Sequence, residues 1–197
     1  MAETINVLIV GVGGQGIVAA SNVLANAALA AGCDVKQSEV HGMAQRGGAV
    51  SSHVRFGTAV HSPVIPLGEA QFLLSFEKLE TLRWLDYLAD DAMVIVNDYR
   101  IDPITVAGGK AEYPADIESR LASSGYGTLL IDGMKKAEAA GNFKSVNMVL
   151  LGVLAARLDL PIDTWKSAIS RRFSGETFAV NWRAFELGRA AGLNAEP

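Results

Sequence analysis

Short unbroken apolar runs alternate along this chain with longer stretches whose apolar residues recur at helical spacing. Residues 5–10, INVLIV, form a continuous β-branched run of the kind that fills a central parallel strand buried on both faces. They lead into GVGGQG and then IVAASNVLANAALAAG, an Ala/Leu/Val-rich helix stopped by Gly32. DVKQSEV follows as a second strand and completes a β-loop-α-β unit, the opening of a doubly wound fold. In AVSSHVRF the period becomes two. Val50, Ser52, Val54 and Phe56 then share one face and Ser51, His53 and Arg55 the other, with His53 expected to be half-exposed.

The rhythm continues with strands predicted at AQFLLSF, AMVIVND and GTLLID, a short strand and turn at ITVAGGKAEYP, and helices at EKLETLRWLDYL and ADIESRLASSG. Beyond residue 133 strand patterns cease. MKKAEAAG, SVNMVLLGVLAARL, IDTWKSAISRRF and ETFAVNWRAFELGRAAG read as helices, with Trp165, Phe173, Trp182 and Phe185 as core aromatics. The pattern predicts an α/β protein with a doubly wound, mostly parallel Rossmann-like sheet and a C-terminal helical cluster. It is one domain over 1–197, with the α/β core at about 1–132 and the helices at about 133–192.

Composition narrows the function classes. Of 197 residues 50% are hydrophobic and only 19% charged, below the roughly 25% usual for soluble domains, so a partner-covered surface is expected. A net charge of -4 argues against nucleic-acid binding, and no polybasic patch suggests a membrane surface. The N-terminus lacks the basic region of a signal peptide and no apolar run reaches about 18 residues, so a cytoplasmic protein is expected. Cys33 is the one cysteine. It cannot form an internal disulfide or supply the four thiolates of an iron-sulfur cluster, and it reads as a small buried hydrophobe at the end of the first helix. His41, His53 and His61 are not spaced as metal ligands on a helix, and no metal site is expected.

Candidate chemistry lies in two places. Gly11, Gly13 and Gly16 have G-x-G-x-x-G spacing between a strand and a helix, with Gly14 as an extra glycine. That spacing suits a tight turn, close approach of an anion to the backbone, and close helix-strand packing. The acid expected on a dinucleotide ribose is displaced: Asp34 falls at the start of the second strand and Glu39 late at its end. A nucleotide, coenzyme A, a partner's carboxylate, or packing alone therefore all remain open for this loop. The second place is SEVHGMAQRGGAVSSHVRFG, residues 38–57, which begins on the same sheet rim. There Arg46 can clamp a phosphate or carboxylate, and Gly47 and Gly48 suit close backbone approach. Ser51 and Ser52 stand outside any nucleophile elbow and suit hydrogen bonding.

Together GVGGQGI, SEVHGMAQRGGAVSSHVRFG, SVNMVLLGVLAA and FAVNWRAFELG resemble the gamma-type subunit of 2-oxoacid:ferredoxin oxidoreductases, most closely the small beta subunit of the indolepyruvate branch. The resemblance runs from about residue 5 to residue 190. It implies a cofactor-free subunit of an enzyme that oxidatively decarboxylates a 2-oxoacid, here indolepyruvate or another arylpyruvate, to an acyl-CoA. Thiamine diphosphate and iron-sulfur clusters would sit in a large partner subunit that passes electrons to ferredoxin. The resemblance also implies that Gly11, Gly13, Gly14, Gln15, Gly16, His41, Gly42, Met43, Gln45, Arg46, Gly47, Gly48 and Ser51 form a coenzyme A contact or a subunit interface. Asn147 and Asn181 match polar positions of the family pattern, with no role derivable from the sequence. The alternatives are a free-standing NAD- or FAD-binding oxidoreductase and a non-catalytic assembly or regulatory protein of the same fold.

Overall fold

A computed structural model describes residues 4–41 and 48–195. Its sheet contains β1 (Ile5–Val12), β2 (Asp34–His41), β3 (Ala49–Gly57), β4 (Ala70–Ser75), β5 (Leu88–Asn97) and β6 (Gly127–Ile131), in the spatial order β2-β3-β1-β4-β5-β6. β1, β4, β5 and β6 run parallel, each to the next, while β3 is antiparallel to both β1 and β2. The doubly wound, mostly parallel α/β architecture is thus present, but β2 does not lie beside β1. The short link from His41 to Ala49 allows an antiparallel hairpin, and β3 fits between the other two because Val50, Val54 and Phe56 join the same core as Val7 and Ile9.

Side chains alternate between two apolar layers. Val7, Ile9, Leu74 and Ile95 face a layer of α1 (Ile17–Ala30), α5 (Gly133–Ala140), α6 (Val146–Ala155), α7 (Ile162–Arg172) and α8 (Gly175–Asn194). Leu8, Val10, Leu73 and Val94 face α2 (Lys78–Leu82), α4 (Ile117–Ala122) and the 60–69 connection; α3 (Ile104–Ala107) is a single turn outside both. The C-terminal helices are therefore the cover of one sheet face. α6 is apolar nearly all round and buried along its whole length, as a helix enclosed by other helices and a sheet must be. It packs so closely on α8 that a Cβ on Gly152 would strike the Phe185 carbonyl, and one on Gly188 the Val149 carbonyl. Trp165 and Phe185 are fully buried in this layer, as expected of core aromatics.

Three local expectations are corrected. The helix expected over EKLETLRWLDYL is only the five-residue α2 and a 3₁₀ turn at Leu85–Tyr87, because Trp84 and Tyr87 turn inward to set their rings edge-on to His53. The strand expected at ITVAGGKAEYP is α3: Pro103 favours a helix start, and Gly109, at φ 68°, ends the turn. His53 is buried rather than half-exposed, since the 60–69 connection crosses over it and the Ile65 N–H donates to its Nδ1 at 3.2 Å.

Candidate functional site

The glycine loop, residues 11–16, follows β1 at the carboxyl edge of the sheet, where β4, β5 and β6 also end. Gln15 folds back beneath it. Its Oε1 accepts from the Val12 N–H at 2.7 Å and its Nε2 donates to the Phe76 carbonyl at 2.8 Å. That carbonyl also accepts from Asn97 Nδ2 at 3.2 Å, and Asn97 Oδ1 accepts from the Gly133 N–H at 3.1 Å. One chain of polar contacts therefore ties the ends of β1, β4 and β5 to the start of α5. Gly11 is required beneath it because a Cβ there would lie 2.7 Å from Gln15 Oε1 and 2.8 Å from Phe76 Cβ.

Gly16 caps α1 with φ 88°, a left-handed conformation, and a Cβ on it would lie 2.7 Å from Asn147 Nδ2. Asn147 is buried at the start of α6 and its Nδ2 reaches the Gly16 carbonyl at 3.5 Å, so the start of α6 braces the loop. No side chain caps α1 and its first turn carries no acid. Among the described residues the N–H groups of Gly14 and Gly16 have no acceptor. Gly14, at φ 104°, is exposed, with open space where a Cβ would point. The loop thus presents unpaired N–H groups and the positive end of a helix dipole on an open surface, an arrangement that favours a negatively charged group.

The second expected segment meets this loop. The Gly13 N–H donates to the Gly48 carbonyl at 2.8 Å, and Val12 pairs with Ala49 while His41 pairs with Val50. Both ends of the 42–47 segment therefore lie on the glycine-loop rim. Gly42, Met43, Gln45, Arg46 and Gly47 themselves lie outside the described residues. Ser51 is buried on the β3 face that looks toward α2, opposite Val10 and Val40. Ser52 is fully buried on the other face.

Neither acid considered for a ribose stands open on the rim. Asp34 opens β2 at the opposite sheet edge, where its carboxylate pairs with Lys36 Nζ at 2.6 Å and accepts from the Val60 N–H at 2.8 Å. The Lys36 hydrogen bond, followed by the Val60 N–H, lowers its pKa. Glu39 accepts from Gln37 Nε2 at 2.9 Å. Among the described residues no group of three or more His, Cys, Asp and Glu is placed to hold a metal ion, and Cys33, expected to be buried, is only half-buried at the edge of the core, beyond the end of α1. Thiolate ligation of a cluster does not fit this one-cysteine chain.

Sequence reasoning missed Glu77, Asn97 and the bracing role of Asn147. Glu77, buried just past β4, caps α2 through Oε2 to the Glu80 N–H at 2.9 Å. Its Oε1 accepts from the Tyr113 hydroxyl at 2.6 Å and the Ile101 N–H at 3.2 Å, which pins the 98–116 segment to the rim. Burial, then the bond to Glu77, pushes the Tyr113 pKa up. The signal for Asn97 was present: a polar residue closing a buried parallel strand stands on the ligand-binding rim. Asn147 carried no local signal, since its partner is 131 residues away.

The pyruvate ferredoxin/flavodoxin oxidoreductase family matches residues 6–191. Indolepyruvate oxidoreductase subunit IorB of Thermococcus kodakarensis is 42% identical over 188 residues, covering 93% of each chain. Its namesake from Archaeoglobus fulgidus is 34% identical over 197 residues, covering 98% of each. Among solved structures, the gamma subunit of a keto/oxoacid ferredoxin oxidoreductase from Geobacter sulfurreducens superposes with a TM-score of 0.73 at 22% identity, covering 97% of this chain and 99% of that one. The 2-oxoglutarate:ferredoxin oxidoreductase of Magnetococcus marinus, solved with 2-oxoglutarate, coenzyme A and succinyl-CoA, superposes at 0.76 and 20% identity over 99% of this chain and 32% of that one. With a family match across nearly its whole length and relatives of similar length well above 30% identity, this chain belongs to the pyruvate ferredoxin/flavodoxin oxidoreductase family.

Proposed function

We propose that this chain is the small, cofactor-free subunit of an indolepyruvate:ferredoxin oxidoreductase, working with a larger subunit that carries thiamine diphosphate and iron-sulfur clusters. The enzyme would convert an arylpyruvate and coenzyme A to the acyl-CoA and carbon dioxide, delivering the released electron pair to ferredoxin. The observation that carries this reading is end-to-end similarity to subunits named for indolepyruvate, in a chain with one cysteine. The cluster chemistry then belongs to the partner.

The chain's own contribution would be the rim. The Gly14 and Gly16 N–H groups and the start of α1 would receive a phosphate of coenzyme A, with Arg46 closing over it and Gln45 and Ser51 satisfying polar groups that the contact buries. Gly11, Gly13 and Gln15 would act indirectly by holding the loop, and His41, Gly42, Met43, Gly47 and Gly48 would shape its second wall. Arg46→Ala in the two-subunit enzyme tests the assignment. A rise of about tenfold or more in KM for coenzyme A, with KM for the 2-oxoacid and subunit association unchanged, is expected from loss of one charged contact. Dissociation of the subunits instead would make the segment an interface. Unchanged values for both would remove Arg46 from the site.

A further inference from the structure

The two outer strands of the sheet are protected unequally. β2 carries Asp34, Lys36 and Glu39 along its length, charges of the kind that discourage pairing with another strand. β6, Gly-Thr-Leu-Leu-Ile, carries none and pairs only with β5. The Asp98 N–H donates to the Ile131 carbonyl at 2.8 Å, so the polar backbone groups of Ile131 face β5. Because these groups alternate between the two edges of a strand, those of Thr128 and Leu130 face away from the sheet.

A groove flanks this edge on each face of the sheet. On the α5 and α8 side a groove of about 610 Å³ is lined by Leu130, Lys135, Lys136, Leu187 and Ala191. On the α4 side a second, of about 500 Å³, is lined by Leu121, Ala122, Tyr126, Thr128 and Leu130. Leu130 lies on the rim of both and is 42% exposed.

Charge selects the occupant. Lys135 and Lys136 have no ion-pair partner among the described residues, while Asp132, the acid on that groove, is engaged in capping α5 through the Lys135 N–H at 2.9 Å. Antiparallel pairing of two β6 strands about a two-fold axis would set each lysine pair, past the carboxyl end, beside the amino end of an uncharged strand that offers no acid to neutralise it. An extended segment with an acidic side chain on the α5 side would neutralise the pair and set apolar side chains in the grooves.

We infer that β6 is a docking edge for such a segment of the larger subunit, which adds a seventh strand to the sheet through the Thr128 and Leu130 backbone groups. This rests on the two-subunit reading above, and the test separates the two. Amide hydrogen exchange across residues 127–131 is compared between the isolated chain and the chain co-purified with its larger subunit. The Thr128 and Leu130 amides are expected to exchange at least about tenfold more slowly in the complex, since a strand amide exchanges only on opening. Lys135→Glu with Lys136→Glu, at positions outside the core, is expected to weaken association about tenfold or more, with a smaller difference in high salt. Thr128→Pro, which removes an outward N–H without breaking the β5 ladder, is expected to weaken it as well. A complex that forms with unchanged exchange at these amides, or that tolerates the charge reversal, overturns the docking edge and leaves the two-subunit reading standing. Failure of the unaltered chain to associate with the larger subunit overturns both.

Discussion

At the scale of single residues, Gly14 and Gly16 distinguish conformation from contact. Both have positive φ, but only at Gly16 would a Cβ meet another side chain, Asn147. Gly14→Ala is expected to cost about 1–2 kcal/mol from the backbone alone. Gly16→Ala is expected to cost more, about 2–4 kcal/mol, as Asn147 is also displaced. Urea unfolding of both variants checks the order, and equal losses would show that Asn147 yields without strain. His53 sets a pH dependence. Burial, then the charge of Arg55, lowers its pKa below the ordinary 6.5. The unfolded chain therefore takes up a proton near its ordinary pKa while the folded chain does not, so stability falls as pH drops through that value and levels off below the folded pKa. His53→Asn, which keeps an acceptor for the Ile65 N–H, is expected to flatten the slope of stability between about pH 7 and 5. An unchanged slope would place that proton uptake elsewhere.

At the scale of elements, α6 and α8 meet through glycines. Gly188→Ala drives a methyl group into the Val149 carbonyl. It is expected to lower stability by about 3 kcal/mol, whereas Gly14→Ala leaves this contact intact. The start of α6 also carries Asn147 to the glycine loop, so Gly188→Ala should loosen that loop as well. Most elements were legible in the sequence because their periods are strong: the INVLIV and AMVIVND runs, the helix over 17–30, and the four C-terminal helices appear where expected. The misses share a cause. β3 enters between β1 and β2, α2 stops at Leu82 as Trp84 turns toward His53, and His53 is covered by residues 60–69, each decided by partners far along the chain. The glycine loop was legible for the same reason as the strands. What lay beyond local reading was its bracing by Gln15, Phe76, Asn97 and Asn147, a network assembled from four separated segments.

At the scale of the whole molecule, elements from separated parts of the chain converge on one open loop. The ends of β1, β4 and β5 and the starts of α1, α5 and α6 converge on the rim through Gln15, Asn97 and Asn147, while the Gly14 and Gly16 N–H groups are left without acceptors among the described residues. No helix among those residues is long and apolar enough to cross a membrane. Such a rim suits the proposed role, a wall beside redox groups that another subunit would hold. The direct test is reconstitution: this chain and the proposed larger subunit are purified separately and together, and coenzyme A-dependent reduction of ferredoxin or a viologen is measured with indolepyruvate, pyruvate and 2-oxoglutarate. The expected result is turnover only when both chains are present, with indolepyruvate preferred. Full activity of the larger subunit alone would contradict the account.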